Sequence, residues 1–307
     1  LSRMDRIPRI RPRYLVTIGN QLDLTVGDYL EHFAADPEIS VVGCYAEGLE
    51  PGDGRRMLEA ARVIGARGGT VILARGGRTA RGARAALTHT AAIATDDVVT
   101  SQLAAQAGIL EAGSLDEFED LLRLAVVMGG RPAGGRRAAM VSNAGFECVA
   151  MADALGPLET AELSAGTHVR LSAIFEQGRL DGIVGVQNPL DLTPVAGDET
   201  FAAAVEAVLD DPAVDLAVVG CVPYTPALLT LPDDVAAPGS VVQRLAALAD
   251  HPTPWVMVVD GGARYDPMVA ALEEAGLAVF RSADRATRLL GRFAARHFGR
   301  HRPASDE

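Results

Sequence analysis

The sequence predicts an α/β protein made of two consecutive domains, each a doubly wound parallel sheet with helices on both faces. Three observations predict it. Short Val/Ile/Leu runs alternate with amphipathic segments of helical length, separated by Gly, Asp or Pro turns. Most of these runs are continuously apolar rather than alternating, as strands covered on both faces must be. The pattern stops at Gly129-Gly130-Arg131-Pro132-Ala133-Gly134-Gly135 and then restarts, which sets the domain boundary. The expected domains are 1–130 and 136–302, followed by a polar tail at 303–307. At 307 residues the chain is long enough for two separate cores, and 49% hydrophobic content with only 5% aromatics suits Ala/Val/Leu-packed layers.

In the first domain, residues 14–18 read as a strand, 26–35 as a helix, 40–46 as a strand, 54–66 as a helix and 70–74 as a strand. A loop around His89 follows, then a helix at 97–107, a short strand at 109–111 and a helix at 115–128. In the second, 138–142 reads as a strand, 148–155 as a helix, 159–163 as a strand and 168–177 as a helix. An apolar run at 181–186, in a strand's place, ends at Asn188-Pro189. A helix at 199–209, a strand at 216–221, a helix at 241–249 and a strand at 255–260 come next. A helix at 267–275, a strand at 278–281 and a helix at 286–298 complete the set.

Composition excludes several function classes. A net charge of −12 argues against general nucleic-acid binding. The five arginines at 3–13 and six at 285–302 are read as solvated faces or interdomain contacts. All 28 basic residues are arginine, so no Walker A lysine, Schiff-base lysine or lysine general base exists on this chain. Three widely spaced cysteines (Cys44, Cys148, Cys221) give neither a disulfide framework nor a zinc site, and no histidine has a partner at metal-ligand spacing. No G-x-S-x-G elbow supports a hydrolase. With no membrane-length apolar run and no signal-peptide pattern, a cytoplasmic location is expected, with neither a membrane nor a nucleic-acid partner.

In doubly wound sheets ligands sit beyond the carboxyl ends of the strands, so those ends hold the candidate chemistry. Gly19-Asn20 leaves the first expected strand for a helix that Asp23 or Thr25 caps; it is either an anion-binding turn or a plain βα turn. Glu47, directly after an apolar strand, is a carboxylate able to accept a hydrogen bond from a histidine and fix its tautomer. Asn143-Ala144-Gly145 opens a helix whose backbone N–H groups suit an anion, or serve only as a cap. Gln187-Asn188-Pro189-Leu190-Asp191-Leu192-Thr193 is read as structural first. His89 lies among small residues and arginines; it is either a surface histidine in a loop or an imidazole able to take a phosphoryl group on one nitrogen while a carboxylate holds the other.

Five segments in order resemble the NDP-forming acyl-CoA synthetases, the superfamily of succinyl-CoA synthetase. They are Gly19-Asn20-Gln21-Leu22-Asp23-Leu24, Tyr45-Ala46-Glu47, Ala86-Leu87-Thr88-His89-Thr90, Ser142-Asn143-Ala144-Gly145 and Asn188-Pro189-Leu190-Asp191-Leu192-Thr193. Where the family usually has Gly-Gly-x-Gly after Asn-Ala, this chain has Gly145-Phe146-Glu147-Cys148. The resemblance implies two flavodoxin-like domains, the first truncated at its N-terminus, and a catalytic pair of His89 as phosphoryl carrier and Glu47 as its orienting carboxylate. Gly19, Asn20, Asn143, Ala144 and Gly145 are the implied phosphate contacts. The implied reaction interconverts acyl-CoA, ADP or GDP and phosphate with carboxylic acid, CoA and ATP or GTP, by way of an acyl phosphate and phosphohistidine.

No prosthetic group and no metal is implied on this chain. CoA and Mg-ADP/ATP are implied on a CoA-binding domain and an ATP-grasp domain or subunit outside it, in an oligomer. Two alternatives stand beside this reading. One is a non-catalytic acyl-CoA or nucleotide-binding module derived from the same family. The other is a flavodoxin-type electron carrier, although the chain lacks the hydroxyl-rich loop and flanking aromatics that hold a flavin.

Overall fold

A computed structural model describes residues 9–19, 21, 23–87, 97–129, 131 and 133–296. The chain divides into two compact units, Leu1–Gly130 and Arg131–Glu307.

The first unit holds strands β1 (Val41–Ala46), β2 (Thr70–Arg75) and β3 (Leu110–Ala112), all parallel and in that spatial order. Its helices are α1 (Val26–Ala35), α2 (Asp53–Ala66), α3 (Ala80–Leu87), α4 (Asp97–Gln106) and α5 (Leu115–Met128). Five of the six β2 residues are buried, because helices cover both faces; in β1, burial is intermittent. Val42, Met57, Ile64, Val71 and Leu73 belong to one apolar cluster.

Local chemistry fixes the helix starts. Thr25 precedes α1, its N–H donating to Asp28 at 2.7 Å, and its hydroxyl lies 2.8 Å from Asp53 Oδ1 at the start of α2. Arg56 then reaches Asp28 and Glu31 at 2.6 Å each, clamping α1 to α2. The Thr25 N–H and the Arg56 guanidinium together pull the Asp28 carboxyl down to about 2. The Ser114 hydroxyl accepts the Glu117 N–H at 3.1 Å and caps α5.

Two expectations fail in this unit. Residues 14–18 form no strand: a strand exists only with a ladder partner, and none among the described residues pairs with this run. Tyr14 instead stacks on Phe33 at 5.6 Å and meets His32 edge-on, while Leu15 and Val16 remain exposed. The stretch before His89 is not all loop, since Ala80–Leu87 is helical. Alanine and arginine are strong helix formers, and the Thr79 hydroxyl accepts the Gly82 N–H at 3.0 Å.

The second unit alternates β4 (Arg137–Ser142), α6 (Gly145–Asp153), β5 (Glu159–Thr160), α7 (Ala165–Gln177) and β6 (Leu190–Asp191). It continues with α8 (Asp198–Leu209), β7 (Leu216–Cys221), α9 (Val241–Ala247) and β8 (Trp255–Val259). Helix α10 (Asp266–Ala275), β9 (Val279–Phe280) and α11 (Ala283–Ala295) end the set. Every strand pairing is parallel, in the order β5-β4-β7-β8-β9, with β6 also on β4. Leaving β6 aside, this is the 2-1-3-4-5 order of a flavodoxin-like sheet. Strands β7 and β8 are buried throughout, as central strands of such a sheet must be.

The run at 181–186 is a turn rather than a strand. The Leu180 carbonyl accepts from both the Ile183 and Val184 N–H groups at 3.0 Å, so Leu180 and Val184 point inward while Ile183 is exposed. Pairing with β4 comes later, at Leu190–Asp191. Asn188 fills the gap with its side chain. Its Oδ1 accepts the Met140 N–H, and its Nδ2 donates to the Ala138 and Ala161 carbonyls, all at 2.9 Å. Helix α6 begins at Gly145, three residues before the expected start, because Ala144 is its extended N-cap.

Candidate functional site

Glu47 leaves the carboxyl end of β1 half-buried. Side chains two apart share a strand face, and the Tyr45 hydroxyl donates to Glu47 Oε1 at 3.1 Å. No described residue hydrogen-bonds to Oε2. Burial raises the Tyr45 phenol above its ordinary range, and the neighbouring Glu47 carboxylate raises it further.

Gly76, just past β2, closes this corner. Its N–H donates to the Ala46 carbonyl at 2.9 Å. A Cβ at this position would lie 2.9 Å from Glu47 Cγ and 3.0 Å from the Tyr45 hydroxyl, so glycine makes the room both side chains use. The backbone then passes into α3, which ends two residues before His89 in sequence. His89 itself lies outside the described residues, as does Asn20.

Gly19 is exposed. Two residues on in sequence, Gln21 has φ +50° and ties two backbone segments together. Gln21 Oε1 accepts the Val26 N–H at the start of α1 at 3.1 Å, and its Nε2 donates to the Gly48 carbonyl at 3.4 Å. Gln21 thereby links the start of α1 to the residue after Glu47.

At the end of β2, Arg75 Nε donates to Glu111 Oε1 at 2.6 Å, and its NH2 reaches Ser101 Oγ at 2.9 Å. This pair was not legible in the sequence: Glu111 is in register with Leu73, and Arg75 reaches it from two residues further along the same face of β2.

In the second unit, Asn143 is buried and bonded at both ends of its amide. Oδ1 accepts the Val222 N–H at 2.8 Å, and Nδ2 donates to the Val222 carbonyl at 3.0 Å. The Ala144 N–H donates to Ser142 Oγ at 3.1 Å. A Cβ on Gly145 would sit 2.9 Å from Asp191 Oδ2, so a carboxylate already lies against the start of α6.

Glu147 is turned into the interior rather than toward this turn. It is 0% exposed, takes the Ser142 hydroxyl on Oε2 at 2.5 Å, and has no hydrogen-bond partner on Oε1 among the described residues. Its carboxylate fits because β7 carries Gly220, where a Cβ would fall 2.4 Å from Oε2. Burial, with the Asp260 charge adding to it, lifts Glu147 to about 7.

Among the described residues no helix is long and apolar enough to cross a membrane. Residues 2–125, a span containing Gly19, Asn20, Glu47 and His89, match the succinyl-CoA ligase-like flavodoxin domain. The chain is 30% identical over 217 residues to the α subunit of acetate–CoA ligase [ADP-forming] II of Pyrococcus furiosus, covering 70% of this chain and 45% of the relative. It is 28% identical to the α subunit of acetate–CoA ligase [ADP-forming] I of the same organism, covering 90% of this chain and 56% of that one.

A Ca. Korarchaeum cryptofilum dinucleotide-forming acetyl-coenzyme A synthetase 1, solved in complex with phosphate and ADP, superposes with a TM-score of 0.77 at 27% identity. That match covers 93% of this chain and 59% of that one. The chain thus spans about half the length of the curated relatives it matches. With its parallel sheets, its flavodoxin-like first unit and these relatives taken together, the chain belongs to the NDP-forming acyl-CoA synthetase family.

Proposed function

We propose that this chain is the phosphohistidine-bearing part of an NDP-forming acyl-CoA synthetase, with His89 the carrier and Glu47 its orienting carboxylate. The observation that carries the reading is the corner at the ends of β1 and β2. There Glu47 is held by Tyr45 on one oxygen, and α3, which follows β2, ends two residues before His89 in sequence. One imidazole nitrogen attacks the phosphorus of an acyl phosphate, the P–O bond to the acyl oxygen breaks, and the carboxylate leaves. The N–H on the other ring nitrogen donates to Glu47, which stabilises the positive charge the ring acquires. A terminal oxygen of ADP or GDP then attacks the same phosphorus, the P–N bond breaks, and the neutral ring returns. CoA and the Mg-bound nucleotide are substrates assigned to the CoA-binding and ATP-grasp parts of the whole enzyme.

The test is to incubate the full-length or reconstituted protein with acetyl-CoA, labelled phosphate and ADP. An acid-labile, base-stable phosphate is expected, absent in His89→Asn. A label that survives that substitution overturns the proposal.

One observation favours the alternative of a non-catalytic acyl-CoA or nucleotide-binding module. In the second unit, Asp191 lies against the start of α6 and the nearby Phe146 is 61% exposed, an environment unfavourable to an anion. That alternative predicts binding by calorimetry with no phosphorylation, unchanged by His89→Asn.

A further inference from the structure

We infer that Tyr45 is a positioning residue for Glu47: its hydroxyl fixes one carboxylate oxygen so that the other is presented in a single orientation. This rests on the proposed role of Glu47. The two side chains share a face at the end of β1, 3.1 Å apart, in a corner that Gly76 leaves open to both. Tyr45 is 53% exposed and its ring is no part of the apolar cluster of this unit. A phenylalanine would sit there equally well, and the hydroxyl is the informative atom.

The phenol stays protonated across the neutral range, since burial and the adjacent carboxylate both oppose its ionisation. It is therefore a constant donor. A glutamate at a strand end otherwise samples several rotamers, and an orienting group works only when its own rotamer is locked.

The experiment uses the full-length or reconstituted enzyme with Tyr45→Phe, Glu47→Gln and the double variant. Tyr45→Phe is expected to keep its circular dichroism spectrum and its KM for acetyl-CoA. Its rate of phosphohistidine formation should fall about 10-fold, the scale of one hydrogen bond to a charged group. Since Tyr45 acts through Glu47, the double variant should lose no more than Glu47→Gln alone.

A Tyr45→Phe enzyme at full rate, or a fully additive double variant, overturns the inference while leaving the roles of His89 and Glu47 intact. A second readout is independent of activity: the Tyr45 phenol, identified by difference against Tyr45→Phe, is titrated by ultraviolet absorbance. Glu47→Gln should move that titration down toward the ordinary phenol range. An unmoved titration overturns the coupling even if no phosphohistidine forms at all.

Discussion

Glu147 sits where a carboxylate is expensive to keep ionised: fully buried, beside Gly220, with one oxygen unpartnered among the described residues. Its pKa rises from 4.5 to about 7, so between those values the folded chain holds a proton that the unfolded chain has lost. Stability from this group is complete below the lower value and declines as pH rises through the upper one. Glu147→Gln keeps an acceptor for the Ser142 hydroxyl and removes the titration. Relative to the parent, the variant should gain on the order of 3 kcal/mol between about pH 5 and about pH 8. Urea unfolding followed at both pH values checks this, and a constant difference would contradict it.

Gly76 offers a second residue-scale prediction, because a Cβ would displace the Glu47 and Tyr45 side chains but not the strand. Gly76→Ala should fold normally by circular dichroism and lose about 10-fold in phosphohistidine formation, the scale of one charged hydrogen bond. Equal rates would separate the corner from the chemistry.

At the scale of elements, Asn188 acts as a piece of strand, serving three backbone groups of β4 and the end of β5 with one amide. Asn188→Ala takes this partner from the Met140 N–H and the Ala161 carbonyl, while the Ala138 carbonyl keeps the Ala161 N–H, and a loss of about 2–4 kcal/mol in the second unit is expected. Trp255 in β8, the only tryptophan, reports that unit's unfolding by fluorescence. A midpoint unchanged in urea would count against the account of Asn188.

The same elements show what the residues reveal in advance. Helix α1, helix α5 and strand β7 match their expected bounds, because periodicity and apolar continuity act locally. The run at 14–18 has strand composition yet no partner, and pairing is a property of two segments that one segment does not announce. Residues 181–186 mislead because three aliphatic side chains in six residues suit a turn that buries Val184 alone as well as they suit a strand. Helix α3 hides behind Gly82 and its arginines. Glu47 was legible because it ends an apolar strand. The inward turn of Glu147 was not, since its cause, Gly220, lies seventy-three residues away on another strand.

At the scale of the whole molecule, two flavodoxin-like units follow each other in a chain that matches about half the length of its curated relatives. The absence of lysine limits what this chain itself can offer to the proposed reaction: its own donors to a phosphoryl group are arginine and backbone N–H groups. In the proposed reaction one imidazole carries the phosphoryl group between acyl phosphate and nucleotide. Its most direct measurement is the acid-labile phosphate formed by the full-length or reconstituted enzyme from acetyl-CoA and labelled phosphate, compared between the parent and His89→Asn. A label in the parent and none in the variant is expected; equal labelling of the two would show that His89 is not the carrier.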